Sequence, residues 1–289
     1  MCHLFSVDIV HIVEKYKEQE NSCQIYCMIG IFDSGIGGLG VMYVIRQKSA
    51  NADLIYFGDL ANMPYGPKSA DELFTLTMRA MAFLGSQGAT QYVSACNSVS
   101  VSVIQPLLQS QGLRDVRIIE MVQPAAKALS HQTSGKILAA ATEATVRSGM
   151  YERVLATYGL DVEMIALPEL ASAIERNEEE EILRSIISPA IEKAIEINAK
   201  TFVFGCTQYP FVKNLFAKVF GEREHEIKLF DPSEAVAEET IKNFEMKGSG
   251  TNKFFVSKSS EVFEDTVRRL FGTNSQVICV DVDKTVHKE

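Results

Sequence analysis

Two segments of this 289-residue chain are similar to each other, and each has a cysteine at the same place. Residues 92–98 read YVSACNS and residues 202–208 read FVFGCTQ, so both apolar runs end in a small residue, a cysteine and two polar residues. The distance from an earlier apolar run also repeats: Asp33 lies 63 residues before Cys96, and Thr142 lies 64 residues before Cys206. This repeat predicts two related halves. Each half would place one thiol at the carboxyl end of a strand, where ligands bind in open α/β sheets.

Short apolar runs alternate with amphipathic stretches along the chain. The runs, which we predict to be strands, are residues 28–32, 53–58, 91–95, 116–120, 136–141, 162–166, 201–205, 226–230, 253–257 and 276–280. The amphipathic stretches include residues 70–84, 145–158, 178–198 and 234–246. Strands rich in Val, Ile and Phe that are separated by helices indicate βα units and mainly parallel sheets. The predicted fold class is therefore α/β.

The charge balance argues against two classes of partner. The chain has 28 Lys and Arg against 37 Asp and Glu, a net charge of −9, and no block of basic residues. A nucleic-acid or membrane-surface partner is therefore not expected, and no apolar run approaches the roughly 20 residues of a membrane span. A small anion can still be bound by backbone N–H groups.

The six cysteines are spread widely, which favours free thiols in a reducing compartment such as the cytoplasm. Cys23 and Cys27 have a spacing seen in some metal sites, but no second pair or nearby histidine follows them, so no metal is expected there. Cys279 lies in an apolar run and is expected to be a buried strand residue. Residues 1–27 differ from the rest, and we interpret them as an N-terminal extension, with Met28 as the hypothetical natural start.

A glycine-rich loop follows the first predicted strand. Gly35, Gly37 and Gly40 satisfy the G-x-G-x-x-G pattern of dinucleotide-binding folds, and Asp59 ends the next strand, close to where a ribose-binding acid would lie. However, Asp33 would bring a carboxylate close to the pyrophosphate, which is unfavourable. We rank three interpretations: a loop that meets a small carboxylate and directs Asp33 to the reacting centre, then close helix–strand packing, then a dinucleotide site.

Cys96 and Cys206 suit a reaction that moves a proton between two faces of a carbon atom. Removing the α-proton of an amino acid without a pyridoxal-type cofactor needs a base on one face and an acid on the other. A free thiol has a pKa of about 8.5, and donors or a helix N-terminus lower it; predicted helices at residues 98–108 and 210–220 follow both cysteines. Either cysteine alone is as well explained by a tight turn, but the matched pair favours catalysis. None of the five histidines lies beside a motif, which argues against a Cys–His hydrolytic site.

Several motifs together resemble those of glutamate racemases, the cofactor-independent members of the aspartate/glutamate racemase superfamily. The similar segments are IGIFDSGIGG at residues 29–38, GD at 58–59, PYG at 64–66, ACNS at 95–98, TEAT at 142–145 with Ser148 and Tyr151, GCT at 205–207 and a closing segment at 255–272. Each motif alone is weak, but the set is specific and extends over most of the chain.

The resemblance implies a fold and a reaction. The fold would be two similar three-layer α/β domains related by a pseudo-twofold axis, with the active site between them. Residues 28–122 and 231–289 would form the first, discontinuous domain, and residues 123–230 the second. The reaction would be the interconversion of L- and D-glutamate without cofactor or metal, which supplies D-glutamate for bacterial peptidoglycan. Family members are often homodimers, although this sequence has no decisive apolar stripe for one.

The resemblance also implies roles for individual residues. Cys96 would exchange a proton with D-glutamate and Cys206 with L-glutamate, and Asp33 would assist Cys96. The residues implied to bind substrate are Ser34, Pro64, Tyr65, Gly66, Asn97, Ser98, Thr145, Thr207 and Gln208. Glu175 corresponds to a glutamate that lies beside the site in the family.

One departure from the family pattern affects the chemistry. The second cysteine motif usually reads Gly-Cys-Thr-His, and here Gln208 replaces the histidine. Histidine relays protons near neutral pH, whereas glutamine is only a neutral donor and acceptor. We therefore expect proton abstraction by Cys206 to be slowed. Two alternatives stay open: a racemase of aspartate or another acidic amino acid, and a weakly active or inactive paralogue that binds an acidic ligand.

Overall fold

The computed structural model describes residues 28–282 except 111, 114, 115 and 134, and this part of the chain contains two sheets. The strands are β1 Met28–Asp33, β2 Leu54–Gly58, β3 Ala89–Ser94, β4 Ile118–Ile119, β5 Ile137–Ala141, β6 Val162–Ala166, β7 Thr201–Gly205, β8 Lys228–Phe230, β9 Asn252–Val256 and β10 Val277–Cys279. The first sheet has the order β10-β9-β2-β1-β3-β4 and the second β6-β5-β7-β8. Every strand pair is parallel, so the predicted α/β class is confirmed.

The two sheets share one topology. The order β2-β1-β3-β4 in the first sheet corresponds to β6-β5-β7-β8 in the second. The strands before the two cysteines, β3 and β7, therefore occupy equivalent positions, beside β1 and β5 respectively. The chain leaves the first sheet after β4 and returns to it with β9 and β10. We call the parts built on these sheets the first and second halves; the domain boundaries predicted above stay a prediction.

Helices cover the sheets. They are α1 Gly38–Lys48, α2 Ala70–Ser86, α3 Asn97–Val99, α4 Gln105–Gln109, α5 Val122–Gln132, α6 Glu143–Ser148, α7 Met150–Thr157, α8 Leu170–Glu175, α9 Glu180–Glu196, α10 Lys213–Glu222, α11 Ser233–Asn243 and α12 Glu261–Phe271. A π-helical segment, Ser100–Ile104, joins α3 to α4. At α2 the sequence dictates the start, because Ser69 and Glu72 form a reciprocal capping box.

The core follows from burial of both faces of the central strands. All residues of β1, β2, β5 and β7 are buried, as expected for parallel strands between helical layers. In the second half, phenylalanines of β7 and α10 pack with ring centroids 5.0 to 5.6 Å apart. Truncating one such ring to alanine typically costs about 3–5 kcal/mol. The strand ends that carry the cysteines are therefore held on a rigid base.

Several local expectations are wrong or untested. Cys279 is exposed rather than buried, because β10 is the edge strand of its sheet. The stretch predicted at residues 145–158 divides into α6 and α7 at Gly149, whose φ of 58° is left-handed. The helix predicted at residues 210–220 begins with the 3-10 turn Tyr209–Val212. The N-terminal extension with Cys23 and Cys27 lies outside the described residues.

Two further classes of feature are missing from the part of the chain that the structure covers. None of its helices is both long and apolar enough to cross a membrane. No cluster of His, Cys, Asp and Glu side chains suitable for a metal ion occurs within the same residues.

Candidate active site between the two halves

One cavity lies between the carboxyl ends of the two sheets. Its walls are Asp33, Ser34, Met63, Pro64, Tyr65, Gly66, Cys96, Asn97, Ser98, Thr142, Pro168, Ala171, Cys206, Thr207 and Gln208. Cys96 and Cys206 line this same cavity from opposite halves and are 5% and 8% exposed. Its free volume is about 20 Å³, which is room for about one water molecule.

The structure brings nearly all the predicted site residues together. Two of them, Thr145 and Glu175, do not line the cavity. Thr145 is fully buried behind Thr142, with their hydroxyl oxygens 3.1 Å apart. Glu175 lies behind Gln208, whose Nε2 donates to Glu175 Oε1 over 2.6 Å. Thr142 is a wall residue that the sequence did not single out as a site residue, although it follows β5 as Asp33 ends β1.

Asp33 is held by donors from both halves. Its Oδ2 accepts a hydrogen bond from the Gly38 N–H at 2.7 Å and one from Thr207 Oγ1 at 3.3 Å. Its Oδ1 has no hydrogen-bond partner in the described chain. Burial raises the pKa of Asp33, although these donors, the Ser34 N–H and the Cys96 thiol oppose the shift. Because the Asp33 carboxylate occupies the N-terminus of α1, a pyrophosphate would meet a negative charge there, which disfavours a dinucleotide site.

The glycine loop packs against the second half. A Cβ added at Gly37 would lie 2.5 Å from Thr207 Oγ1, and one added at Gly35 would collide with the Glu175 carboxylate. At Gly40, by contrast, the nearest atom would be 3.9 Å away. Two of the three glycines are therefore required by close approach between the halves. This contact differs from the helix–strand packing considered from the sequence.

Two hydrogen bonds fix this loop. Tyr56 donates its hydroxyl to the Gly35 carbonyl over 2.7 Å, and the Ile36 N–H donates to Glu175 Oε1 over 2.9 Å. Burial raises the pKa of Glu175, and the nearby Asp33 carboxylate raises it further. Gln208 and Ile36 thus share one carboxylate oxygen, which links the cavity wall to the opposite half.

Both thiols have pKa values above that of an ordinary cysteine. Burial raises the pKa of Cys206 to about 12, against the opposing effect of the Gln208 and Tyr209 N–H groups. Burial also raises the pKa of Cys96, and the Asp33 carboxylate adds to the shift. The N–H groups that follow each cysteine do lower its pKa, as expected, but burial outweighs them and the net shift is upward. The physical reason is that Asp33 is the one charged residue among the wall residues, so no cation offsets desolvation.

Polar side chains of the wall differ in whether they already have partners. Asn97 is 2% exposed, and neither atom of its amide has a hydrogen-bond partner among the residues described. Ser98 Oγ lies 2.8 Å from Thr142 Oγ1, a bond between the two halves. An unpaired buried amide costs about 1–3 kcal/mol. Asn97 is therefore the wall residue with most to gain from a polar ligand.

Tyr65 is fixed by a second buried carboxylate. Its hydroxyl donates to Asp59 Oδ2 over 2.7 Å, and Asp59 also accepts from Asn62 and from Ser257. Asp59, the residue placed where a ribose-binding acid would lie, is thus engaged in holding the loop that carries Tyr65. This is a second observation against a dinucleotide site.

Comparison with known proteins identifies relatives over most of the chain. The profile of the Asp/Glu/hydantoin racemase family matches residues 43–240. A glutamate racemase of Desulforudis audaxviator is 31% identical over 274 residues, covering 86% of this chain and 96% of that protein. The glutamate racemase of Lactobacillus helveticus is 30% identical over 254 residues, covering 84% and 93%. A crystal structure of a glutamate racemase isoform from Bacillus anthracis superposes with a TM-score of 0.79 at 28% identity, covering 89% and 98%.

Proposed function

Because this chain belongs to the Asp/Glu/hydantoin racemase family, we propose that it interconverts L- and D-glutamate with two thiols as acid and base. The observation that carries the proposal is that Cys96 and Cys206 line one cavity from equivalent strand ends of the two halves. The glutamate racemases that are about 30% identical over most of the chain support glutamate as the substrate.

The proposed reaction transfers one proton at each face of the α-carbon. Cys206 as thiolate removes the α-proton of L-glutamate, and the electron pair is delocalised into the α-carboxylate. The Cys96 thiol then donates its proton to the opposite face, which gives D-glutamate. The turnover leaves Cys206 protonated and Cys96 as thiolate, so the reverse reaction starts from Cys96 and the protons balance.

Activation of the thiols requires help from neighbouring groups. Asp33 is suited to accept the proton of Cys96, because its Oδ1 is unpaired among the described residues and its pKa is raised towards that of a thiol. The α-ammonium group of the substrate brings a positive charge into a cavity whose walls have none. This charge lowers the cost of forming a thiolate beside it.

Neutral donors would bind the substrate carboxylates. The wall residues include no Lys or Arg, but they carry hydroxyl and amide groups on Ser34, Asn97, Ser98, Thr142 and Thr207. Donors aimed at the α-carboxylate stabilise the enolate-like charge that develops there. The Asn97 amide is suited to this role, because it has no hydrogen-bond partner among the described residues and a substrate carboxylate would supply one.

By the same family relationship we infer that the D-glutamate product supplies peptidoglycan synthesis in the cytoplasm. The homodimer and the roles of Thr145 and Glu175 stay predictions.

Exchange of the α-proton in heavy water tests the proposal. Purified protein without added cofactor is expected to convert either enantiomer of glutamate into the other with deuterium at Cα, measured by NMR and by chiral analysis. Exchange with aspartate but not glutamate would instead establish the aspartate alternative. Binding of glutamate by calorimetry without any exchange would show a non-catalytic paralogue.

A further inference from the structure

Arg147 connects the two halves next to the loop that carries the wall residues Tyr65 and Gly66. Arg147 belongs to α6 of the second half, and its Nη2 donates to the Lys68 carbonyl of the first half over 2.9 Å. Beside it, the Ala144 N–H donates to the Gly66 carbonyl, also over 2.9 Å. Gly66 lines the cavity. The two bonds therefore tie the loop at residues 64–68, of which residues 64–66 line the cavity, to a helix of the other half.

Arg147 also carries a charge that the cavity lacks. The proposed substrate has two carboxylates, whereas Asp33 is the one charged wall residue and the chain has a net charge of −9. The Arg147 guanidinium is exposed and pairs with no carboxylate of the described chain.

We propose that Arg147 is a positioning residue that draws acidic substrates to the mouth of the cavity and holds the loop at residues 64–68 closed over them. Attraction by a cation raises the rate at which an anion reaches a site and weakens as salt screens it. The hydrogen bond to the Lys68 carbonyl exists only while the two halves are together, so it favours the closed state. The inference rests on the proposed function, because it takes a dicarboxylate as the substrate.

Arg153 provides a matched control. It is also exposed, and its Nη2 donates to the Ser148 carbonyl over 2.9 Å, which is the same kind of bond at the same distance. Both atoms of this bond belong to the second half. Replacing Arg153 therefore removes an equal charge and an equal hydrogen bond without changing any contact across the cavity.

The test compares Arg147→Gln, Arg147→Lys and Arg153→Gln with the wild type in racemisation of both enantiomers at low and high salt. Arg147→Gln is expected to raise KM for glutamate about three- to tenfold, as for loss of one hydrogen bond of ordinary strength, with kcat within about twofold. High salt should raise the KM of the wild type and so reduce the difference in KM between the wild type and Arg147→Gln. Arg147→Lys should lie between, because it keeps the charge but not the forked donor. Melting temperatures would verify folding.

The contrary results are distinct. An Arg147→Gln variant with the same KM and salt dependence as Arg153→Gln would overturn the inference while leaving the racemase proposal intact. A wild type without racemisation would refute the proposed function. In that case, glutamate affinity by calorimetry decides the inference: weaker binding by Arg147→Gln alone supports it, and equal or absent binding rejects it.

Discussion

The two halves place corresponding residues at corresponding strand ends, but the chemistry at those positions differs. Asp33 ends β1, and Thr142 follows β5, its counterpart in the second sheet. Each contacts the turn after the opposite cysteine: Asp33 accepts from Thr207, and Thr142 bonds to Ser98. The duplicated scaffold therefore creates a symmetric position, and the residue type decides whether that position can take up a proton.

The residues two positions after each cysteine, Ser98 and Gln208, also differ in their bonding partners. Ser98 bonds directly to the hydroxyl of Thr142, whereas Gln208 bonds to the carboxylate of Glu175, which lies behind the wall. Asp33 affects the pKa of both thiols through its charge, but it is hydrogen-bonded to Cys96 and not to Cys206. On the Cys206 side, the nearest wall residue to the Glu175 carboxylate is Gln208, which cannot ionise and donates a hydrogen bond to that carboxylate. Similar geometry with dissimilar ionisable groups implies that the two proton transfers have unequal barriers.

The largest effect on racemisation should come from replacing either cysteine. Cys96→Ser and Cys206→Ser are each expected to lower racemisation by about 10³-fold or more, because a hydroxyl replaces the acid or base on one face. Cys279→Ser, at an exposed position outside the cavity, serves as the control and should retain wild-type activity. Chiral analysis of product measures all three. A single thiol variant with more than a tenth of the activity would contradict a two-base mechanism.

The next largest effect should separate the two strand-end residues. Asp33→Asn is expected to lower kcat about 10²-fold, because it removes a proton acceptor. Thr142→Val should lower it by less than about tenfold, because it removes only a hydrogen bond, and Thr142→Ser should restore most of the loss. Steady-state kinetics in both directions measures the difference. Equal losses at the two positions would mean that their roles are alike.

A smaller effect is expected from restoring a titratable group beside Cys206. Gln208→His should raise kcat for the L-to-D direction about tenfold and the reverse less, because a histidine can relay the proton. The enantiomers have equal free energy, so in every variant kcat/KM for L-glutamate must equal kcat/KM for D-glutamate. The two KM values must therefore differ in the same ratio as the two kcat values. Gln208→Leu, which also loses the bond to Glu175 but gains no titratable group, should show no increase. An unchanged L-to-D kcat in the histidine variant would show that Gln208 does not limit the rate.

The smallest effect concerns stability rather than rate. Burial raises the pKa of Asp33, so the folded protein binds its proton more tightly than the unfolded chain does. This contribution to stability is complete below the unfolded pKa of about 4 and is lost as the pH rises through the folded pKa. The free energy of unfolding of Asp33→Asn should therefore increase relative to that of the wild type as the pH rises. Denaturant titrations at several pH values measure this, and a difference independent of pH would show that Asp33 ionises freely.

Local pattern was sufficient to predict much of the scaffold. The strands and the repeat could be recognised because buried parallel strands are continuous apolar runs, and equivalent strands in a duplicated fold have equal spacing. The wall residues of the cavity could be placed because they follow those strands. Their specific roles came from resemblance to a family, as for Tyr65 and Asn97.

The remaining features depend on contacts between distant parts of the chain. The exposure of Cys279 follows from the position of β10 at a sheet edge, which its apolar sequence does not reveal. The need for Gly35 and Gly37 comes from the second half, far away in sequence. The raised pKa values of the thiols reflect burial with no cation nearby to offset it, a property of the assembled walls rather than of either cysteine motif.

The small free volume of the cavity, about 20 Å³, has a mechanical consequence. A five-carbon amino acid is several times larger than a water molecule, so binding and release both require the walls of the cavity to move apart. Where that movement separates the two halves, it breaks the bonds that cross between them, including Ile36 to Glu175 and Ser98 to Thr142. Turnover should therefore slow in viscous solvent wherever product release is slower than proton transfer.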